Sequence, residues 1–161
     1  QMCIRDSNEL PNIDLVIDIE DLQISDLPFI PDVVWASTIC TPFSIAGWHW
    51  HWDLMKKPKK KFIPKSETAF KGMALAKKTL SLIAELLEIN PNMRFYIENP
   101  RGLLRKMPFM VLDKNIKRRV TVTYCQYGFD YMKPTDIWTN DMEWRPRPKC
   151  SPGADLSLIH I

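Results

Sequence analysis

Glycine is scarce in this chain of 161 residues, which has five glycines against thirteen prolines. A backbone loop that cradles a phosphate or a dinucleotide needs several glycines within a few residues. The five glycines are instead widely separated, at positions 47, 72, 102, 128 and 153. Such a loop is therefore excluded from the chain, and a nucleotide-like cofactor would be held in another way or by a segment outside it.

The sequence also has few cysteines and no long apolar run. The four cysteines, at positions 3, 40, 125 and 150, form no C-x-x-C pair, which argues against a zinc ribbon and a disulfide framework. Nothing in the sequence resembles a secretory signal, so we expect reduced thiols and a cytoplasmic location. Charged residues interrupt every candidate spanning helix, and we therefore expect no membrane partner.

The composition is sufficient for one folded domain. Hydrophobic residues make up 45% of the chain, and an ordinary domain has about 100 to 200 residues. Lysine and arginine number 22, aspartate and glutamate number 19, and the formal net charge is +3. This small excess is compatible with a polyanionic partner but does not require one.

The two ends of the chain differ from the rest. Residues 1–7 (QMCIRDS) and 156–161 (LSLIHI) resemble translated sequencing adapters, and neither belongs to the periodic pattern between them. We therefore treat both as artefacts, and we predict that residues 8–155 are an internal piece of a longer chain.

Periodic apolar residues predict an α/β fold. Residues 14–19 (DLVIDI) and 32–37 (DVVWAS) are short apolar runs typical of buried strands. After Ser66, a good helix N-cap, apolar residues recur every three or four positions until Asn90, which predicts a helix of about six turns. Further strands are predicted at residues 94–97, 119–125 and 136–139, and a short helix at 101–106. Strands that alternate with a long helix indicate a mostly parallel sheet.

Three predicted strands end in chemically useful side chains. Ligands of parallel α/β sheets bind beyond the carboxyl ends of the strands, and there we expect Asp18, Cys40 and Glu98 to converge. Each has a plainer interpretation: Cys40 is equally well a small buried hydrophobe, and Glu98 a cap of the helix that begins at Arg101. Cys125, inside a predicted strand, is best interpreted as a core residue.

Two runs resemble motifs of the DNA cytosine-5 methyltransferases, especially the phage-type members. Residues 35–44 (WASTICTPFS) resemble the family's nucleophile loop, which ends in Phe-Ser, and residues 95–100 (FYIENP) resemble its strand that ends in Glu-Asn. The resemblance covers roughly residues 12–153. It includes Asp18-Ile19, at the place of the acidic residue that binds the adenosine part of the methyl donor.

The resemblance implies a class I S-adenosylmethionine-dependent methyltransferase-like (Rossmann-like) fold, incomplete in this chain. It also implies a reaction in which Cys40 adds as a thiolate to C6 of a flipped cytosine in double-stranded DNA, while Glu98 relieves the charge at N3. S-adenosylmethionine would supply the methyl group, with Asp18 and Ile19 as cofactor-binding residues. Substrate binding is expected from Ser44, Asn99, Pro100 and Lys133. No metal is implied, and we expect a monomer. The likeness to phage-type members implies a location in the cytoplasm of a bacterial host cell.

The chain departs from the family pattern at three places. Thr38 and Ile39 precede Cys40, where the family usually has proline directly before the cysteine. Residues 129–135 (FDYMKPT), which follow Tyr127-Gly128, replace a Gln-x-Arg-x-Arg segment, and Lys133 is the candidate for the missing cation. The family's glycine-rich donor loop would lie upstream of residue 8, so we expect this chain alone to be inactive.

The resemblance also sets the expected domain boundaries and the competing functions. Residues 8–140 would be part of the catalytic domain, and residues 141–155 the start of a target-recognition or C-terminal region. One alternative is an enzyme that transfers a methyl group to C5 of a free pyrimidine nucleotide, which would need phosphate-binding arginines facing Cys40. Another is a degenerate, non-catalytic phage DNA-binding protein.

Other features have two interpretations each. The run at residues 48–52 (WHWHW) suits base stacking and equally suits a lid that packs on the core. The lysines of residues 56–61, together with Arg145 and Arg147, would contact phosphate or simply be solvated.

Overall fold

The computed structural model of the chain describes residues 15–55 and 61–150, together with the backbone of residues 4 and 5. Strands and helices alternate along it, so this part of the chain is α/β, as predicted. The strands are β1 (Ile4–Arg5), β2 (Leu15–Val16), β3 (Val33–Ser37), β4 (Trp52–Met55), β5 (Lys61–Pro64), β6 (Arg94–Pro100), β7 (Arg118–Thr123) and β8 (Pro134–Thr139). The helices are α1 (Trp48–His51), α2 (Glu67–Ile89) and α3 (Pro108–Val111), with short 3-10 helices at Ile24–Asp26, Thr41–Phe43, Leu103–Lys106 and Tyr124–Tyr127.

The main sheet has four strands in the order β3-β6-β8-β7. β3 and β6 are parallel, whereas β8 is antiparallel to both β6 and β7. The prediction of a mostly parallel sheet is therefore wrong for these pairings. The reason is the short connection between β7 and β8, residues 124–133, because a parallel crossover needs a dozen or more residues. β3, β6 and β7 nevertheless all point in one direction.

The segment around Asp18 lies outside the main sheet. The strand predicted at residues 14–19 is reduced to β2, which pairs with β1 in a separate two-stranded sheet. The prediction that Asp18 follows a strand beside β3 is therefore wrong. The Asp18 carboxylate instead accepts a hydrogen bond from the amide of Glu20 (3.0 Å), and its carbonyl accepts one from the amide of Leu22 (3.1 Å). Such local bonds of aspartate favour turns over strands.

The long helix α2 covers one face of the main sheet. It begins as predicted after Ser66, whose hydroxyl accepts a hydrogen bond from the amide of Ala69 (3.1 Å), and it ends before Asn90. Its buried face packs against alternate residues of β6 and against Trp138 of β8. The core residues at this interface are Ala69, Ala76, Leu80, Ile83, Leu86, Phe95, Ile97 and Trp138.

A small antiparallel hairpin precedes α2, and sequence reasoning did not predict it. β4 pairs with β5, and residues 56–60 between them lie outside the described residues. The side chain of Trp52 at the start of β4 is buried, and its indole nitrogen donates to the carbonyl of Pro42 (2.8 Å). Trp50 is exposed. The aromatic run therefore anchors the hairpin to the core through one ring and leaves another in solvent.

A buried ion pair joins the 3-10 helix Leu103–Lys106 to the sheet. The carboxylate of Asp136 on β8 is fully buried. Arg105 donates to both of its oxygens, at 2.7 Å for the Nε bond, and the hydroxyl of Thr121 on β7 donates to it at 2.7 Å. The same hydroxyl accepts a bond from Arg105 (3.0 Å). Every buried charge of this network therefore has a partner.

Removal of the cation from this network is expected to destabilise the fold strongly. The substitution Arg105→Met should lower the free energy of unfolding by about 3 to 5 kcal/mol, because it leaves a buried carboxylate without a counter-charge. The matched control is Lys65→Met, which removes the cation of the exposed Lys65–Asp53 pair and should cost less than about 1 kcal/mol. Urea denaturation of both variants measures the difference, and equal losses would contradict the prediction.

A second network ties the start of β6 to the segment after β8. The hydroxyl of Tyr96 donates to the carboxylate of Asp141 (2.5 Å), which also accepts bonds from the amides of Glu143 (2.8 Å) and Trp144 (3.0 Å). The hydrogen bond from Tyr96 is the main cause that lowers the pKa of Asp141 below its ordinary value. Burial, and then the bond to Asp141, raise the pKa of Tyr96 to about 12.

This network predicts a loss of stability at both pH extremes. Because the pKa of Asp141 is lowered in the fold, its contribution is present above the ordinary aspartate pKa near 4 and is lost as the pH falls through the folded value. Because the pKa of Tyr96 is raised to about 12, its contribution is present below about pH 10 and is lost as the pH rises through 12. Unfolding free energies measured from pH 2 to 6 should fall less steeply in Tyr96→Phe than in the wild type. The exposed Tyr131→Phe is the control and should keep the wild-type slope.

Candidate functional site

Two loops meet at the carboxyl edge of the main sheet. Ser37, the last residue of β3, is in register with Glu98 of β6, and the amide of Thr38 donates to the carbonyl of Glu98 (3.3 Å). Cys40 follows directly in the loop that leaves β3. Since parallel strands end at the same edge of a sheet, the Cys40 loop and Glu98 lie together there. The structure thus places the loop that carries Cys40 beside the backbone of Glu98, whereas Asp18 lies outside the main sheet.

Asn99 holds the loop that carries Cys40. Its side chain is fully buried, and its amide nitrogen donates to the Thr38 carbonyl and hydroxyl, both at 3.0 Å, and to the Ile39 carbonyl at 3.3 Å. The amide oxygen has no hydrogen-bond partner among the described residues. The sequence predicted Asn99 as a substrate-binding residue, and its observed contacts are with the loop backbone.

Two glycines allow the Cys40 loop to approach its neighbours closely. A Cβ atom at Gly102 would collide with the carbonyl oxygen of Phe43, and Gly102 forms an isolated bridge with Ser44. A Cβ atom at Gly72 of α2 would lie 2.6 Å from Cγ of Pro42. Small residues at these positions are therefore a condition for the loop's position between α2 and the segment after β6.

Cys40 is the free thiol of this part of the chain. It is half-buried at the start of the 3-10 helix Thr41–Phe43, whose first turn closes through the bond from the Phe43 amide to the Cys40 carbonyl (3.0 Å). Cys125 and Cys150 instead form a disulfide. The expectation of reduced thiols is therefore wrong for this pair, because the residues after β8 return to the end of β7 and bring Cys150 against Cys125. Cys40 remains the one thiol available as a nucleophile among the described residues.

Tyr124 is a site residue that sequence reasoning missed. It follows β7 directly, and its hydroxyl donates to the carboxylate of Glu98 (3.2 Å). Burial, followed by the negative charge of Glu98, raises the pKa of Tyr124. The ammonium group of Lys133 lies 5.2 Å from the centre of the Tyr124 ring. Tyr124 could have been found from its position at the end of β7, a third strand that runs in the same direction as β3 and β6. It was missed because the sequence pattern predicted that this strand continues to Cys125.

The other predicted site residues have structural contacts. The Ser44 hydroxyl donates to the Thr41 carbonyl (3.3 Å) and accepts from the Gly47 amide (3.0 Å), so both of its polar functions serve a turn. Pro100 is half-buried at the end of β6, where it is in register with Thr135 of β8. Asp18 and Ile19 have no hydrogen bond to this edge within the described residues, because they follow the separate strand β2.

Two findings bear on metals and membranes. Within residues 15–55 and 61–150, no three His, Cys, Asp or Glu side chains are grouped so that they could hold a metal ion. His51 of the aromatic run shares a hydrogen bond with Ser66 (2.7 Å), and His49 is exposed. In the same ranges, no helix has the length and apolar character needed to cross a membrane.

Comparison with known proteins gives no relative. No family model, no curated protein and no solved structure matches the chain. The residues and the geometry of the site are therefore the basis for assigning a function.

The close approach of Gly102 to the Phe43 carbonyl predicts that adding one methyl group at residue 102 destabilises the fold. The substitution Gly102→Ala should push the Cys40 loop away from the segment after β6 and lower the free energy of unfolding by about 1 to 3 kcal/mol, because the colliding atom belongs to the backbone. Hydrogen–deuterium exchange of residues 38–44 should become faster. The neighbouring exposed Arg101→Ala is the control, and unchanged exchange in Gly102→Ala would contradict the close approach.

Proposed function

We propose that this chain is part of an S-adenosylmethionine-dependent DNA (cytosine-5)-methyltransferase with a class I, Rossmann-like sheet. One observation carries the proposal: the loop that bears the free thiol of Cys40 follows β3, and its Thr38 amide donates to the carbonyl of Glu98 on the neighbouring parallel strand β6. The common direction of β3, β6 and β7 supports the fold class, since doubly wound sheets also accept an antiparallel strand. The resemblance of residues 35–44 and 95–100 to the family's motifs supports the reaction.

The proposed role of Cys40 is nucleophilic addition. C5 of cytosine is a poor nucleophile, and a bond from the Cys40 sulfur to C6 converts the ring into an enamine whose electron density lies at C5. A half-buried thiol at the start of a tightly held turn is suited to this step, because the side-chain amide of Asn99 holds the backbone carbonyls of the two preceding residues. This restraint on the backbone keeps the entropy cost of the attack low.

The proposed role of Glu98 is to relieve the charge that this addition creates. As the sulfur bonds to C6, negative charge moves into the ring and is relieved by a hydrogen bond or a proton at N3. Tyr124 donates to one oxygen of the Glu98 carboxyl group (3.2 Å) and holds the group in place. The other oxygen is left to carry the proton that Glu98, acting as a carboxylic acid, donates to N3 and takes back when the thiol is expelled. Tyr124 is thus a positioning residue for Glu98.

The described residues do not fit S-adenosylmethionine by themselves. Asp18, the residue expected to bind its adenosine part, lies in a turn after β2, which is not a neighbour of β3. No glycine-rich loop occurs in the chain. The proposed steps are therefore limited to what Cys40 and Glu98 do to the base, and the donor would need a segment that these residues do not supply.

A non-catalytic DNA-binding protein is the second candidate function. Arg145, Arg147 and Lys149 are exposed in the segment after β8, and exposed cations of this kind bind phosphate whether or not chemistry follows. The two candidates differ in whether the thiol forms a bond to the base.

Exchange of the cytosine C5 hydrogen tests the proposal without a methyl donor. Addition of Cys40 to C6 lets C5 take up a proton from water, and the reverse step then releases the original C5 hydrogen. Duplex DNA with tritium at cytosine C5 should therefore lose tritium to water in the presence of the chain. Cys40→Ser should abolish the release, because a hydroxyl is seldom ionised near neutral pH. Glu98→Gln should slow it at least about 100-fold.

Matched controls separate these effects from damage to the fold. Cys125→Ser should release tritium normally, because the Cys125 sulfur is joined to Cys150 and is not a free nucleophile. Glu88→Gln, an exposed carboxylate near the end of α2, should also behave as the wild type. If the wild type binds DNA but releases no tritium, the methyltransferase proposal fails and the non-catalytic binding protein is the better account.

A further inference from the structure

Three aromatic rings form a cluster beside Glu98. We call Tyr124, Phe129 and Tyr131 the aromatic platform. Their ring centres lie 5.1 Å apart for Tyr124 and Phe129, 6.0 Å for Tyr124 and Tyr131, and 5.5 Å for Phe129 and Tyr131. Phe129 and Tyr131 are 47% and 50% exposed. Half of the surface of these two residues is therefore open to a ligand.

The platform is not explained by the core. Neither Phe129 nor Tyr131 belongs to the buried hydrophobic cluster under α2. Large exposed apolar groups that cluster together on a surface mark binding sites more often than isolated ones do. The hydroxyl of Tyr124 fixes this ring to Glu98 (3.2 Å), and both outer rings contact Tyr124, so Tyr124 links the platform to the carboxylate that recognises the base in the proposed function.

Two cations and two carboxylates, Glu98 and Asp130, surround the platform. The ammonium group of Lys133 lies over Tyr124 at 5.2 Å. The Arg147 guanidinium lies over the neighbouring ring of Tyr127 at 5.5 Å and donates to the Gln126 carbonyl (2.6 Å). Asp130 is the one carboxylate of residues 124–133. Stacking rings combined with cations are the features by which proteins bind unpaired bases and their phosphates.

We propose that Phe129 and Tyr131 stack on an unpaired pyrimidine base of DNA, with Tyr124 beneath them and Lys133 beside its phosphate. The inference deepens the proposed function: the base stacked here would be the flipped cytosine or its unpaired neighbour. An unpaired base has a free face that an aromatic ring can cover, whereas a base within the duplex does not. The platform therefore favours single-stranded DNA, or a duplex with a flipped base, over an intact duplex.

Equilibrium binding of the 161-residue chain tests the platform. The probe is a short duplex in which a fluorescent cytosine analogue stands opposite an abasic site, with the intact duplex for comparison. Stacking quenches the analogue, and anisotropy of an end label reports affinity. The double variant Phe129→Leu with Tyr131→Leu keeps apolar side chains but removes both rings. It should bind the abasic-site duplex at least about tenfold more weakly and lose the quenching.

Two further variants keep the test decisive. Phe129→Tyr with Tyr131→Phe retains both rings and should bind and quench like the wild type, which excludes a general effect of substitution in the loop. Phe29→Leu removes a ring of equal exposure, 49%, before the opposite end of β3, and should change nothing. If the leucine double variant folds and quenches as the wild type does, the platform does not bind the base.

The outcomes distinguish this inference from the proposed function. In one outcome the leucine variant binds weakly without quenching, and the wild type releases no tritium. This outcome would support the platform and overturn the methyltransferase proposal. In another outcome the leucine variant quenches normally, and tritium release depends on Cys40. This outcome would overturn the platform and leave the methyltransferase proposal in place. An affinity of the wild type for the intact duplex equal to that for the abasic-site duplex would also overturn the platform.

Discussion

The buried side chain of Asn99 is the interaction on which the candidate site depends. Its amide nitrogen donates to the Thr38 and Ile39 carbonyls, so a residue of one strand determines the path of the loop that leaves the next. Without this bond two backbone carbonyls at the sheet edge would lack their partner, at a cost of about 1 to 3 kcal/mol for each buried group left unsatisfied. The two residues before Cys40 are thus held through their backbone by a side chain of β6.

The same loop is confined from its other sides by packing. Phe43 is buried, Pro42 packs on Gly72 of α2, and the Phe43 carbonyl lies against Gly102. These contacts leave the thiol end of the loop half-buried at the surface while its following residues are part of the core. A rigid loop on a packed base is the arrangement that reactive groups need, because small displacements of a reacting atom reduce the rate greatly.

The two faces of the main sheet differ. α2 covers one face, whereas Val33 and Trp35 of β3 on the other face are each 58% exposed. β3 also has a partner strand on only one side within the described residues. Edge strands with exposed apolar side chains are usually covered or paired in stable proteins. The outer face of β3 therefore exposes apolar side chains that α2 does not cover.

The sequence by itself determined those elements whose signal is local. α2 with its Ser66 cap, β3 and β6 follow from apolar periodicity and from capping preferences, which depend on neighbouring residues only. The parallel direction of β3 and β6, which places the Cys40 loop and Glu98 at one edge of the sheet, also followed. Four features could not be predicted from the sequence: the reversed direction of β8, the separation of β2 from the main sheet, the Cys125–Cys150 disulfide and the hydrogen bond from Tyr124 to Glu98. Only the tertiary structure decided these four features, because each depends on which distant segments pack together. The free energy that favours one packing over another is spread over many contacts between residues far apart in the sequence, and a pattern of neighbouring residues does not contain it.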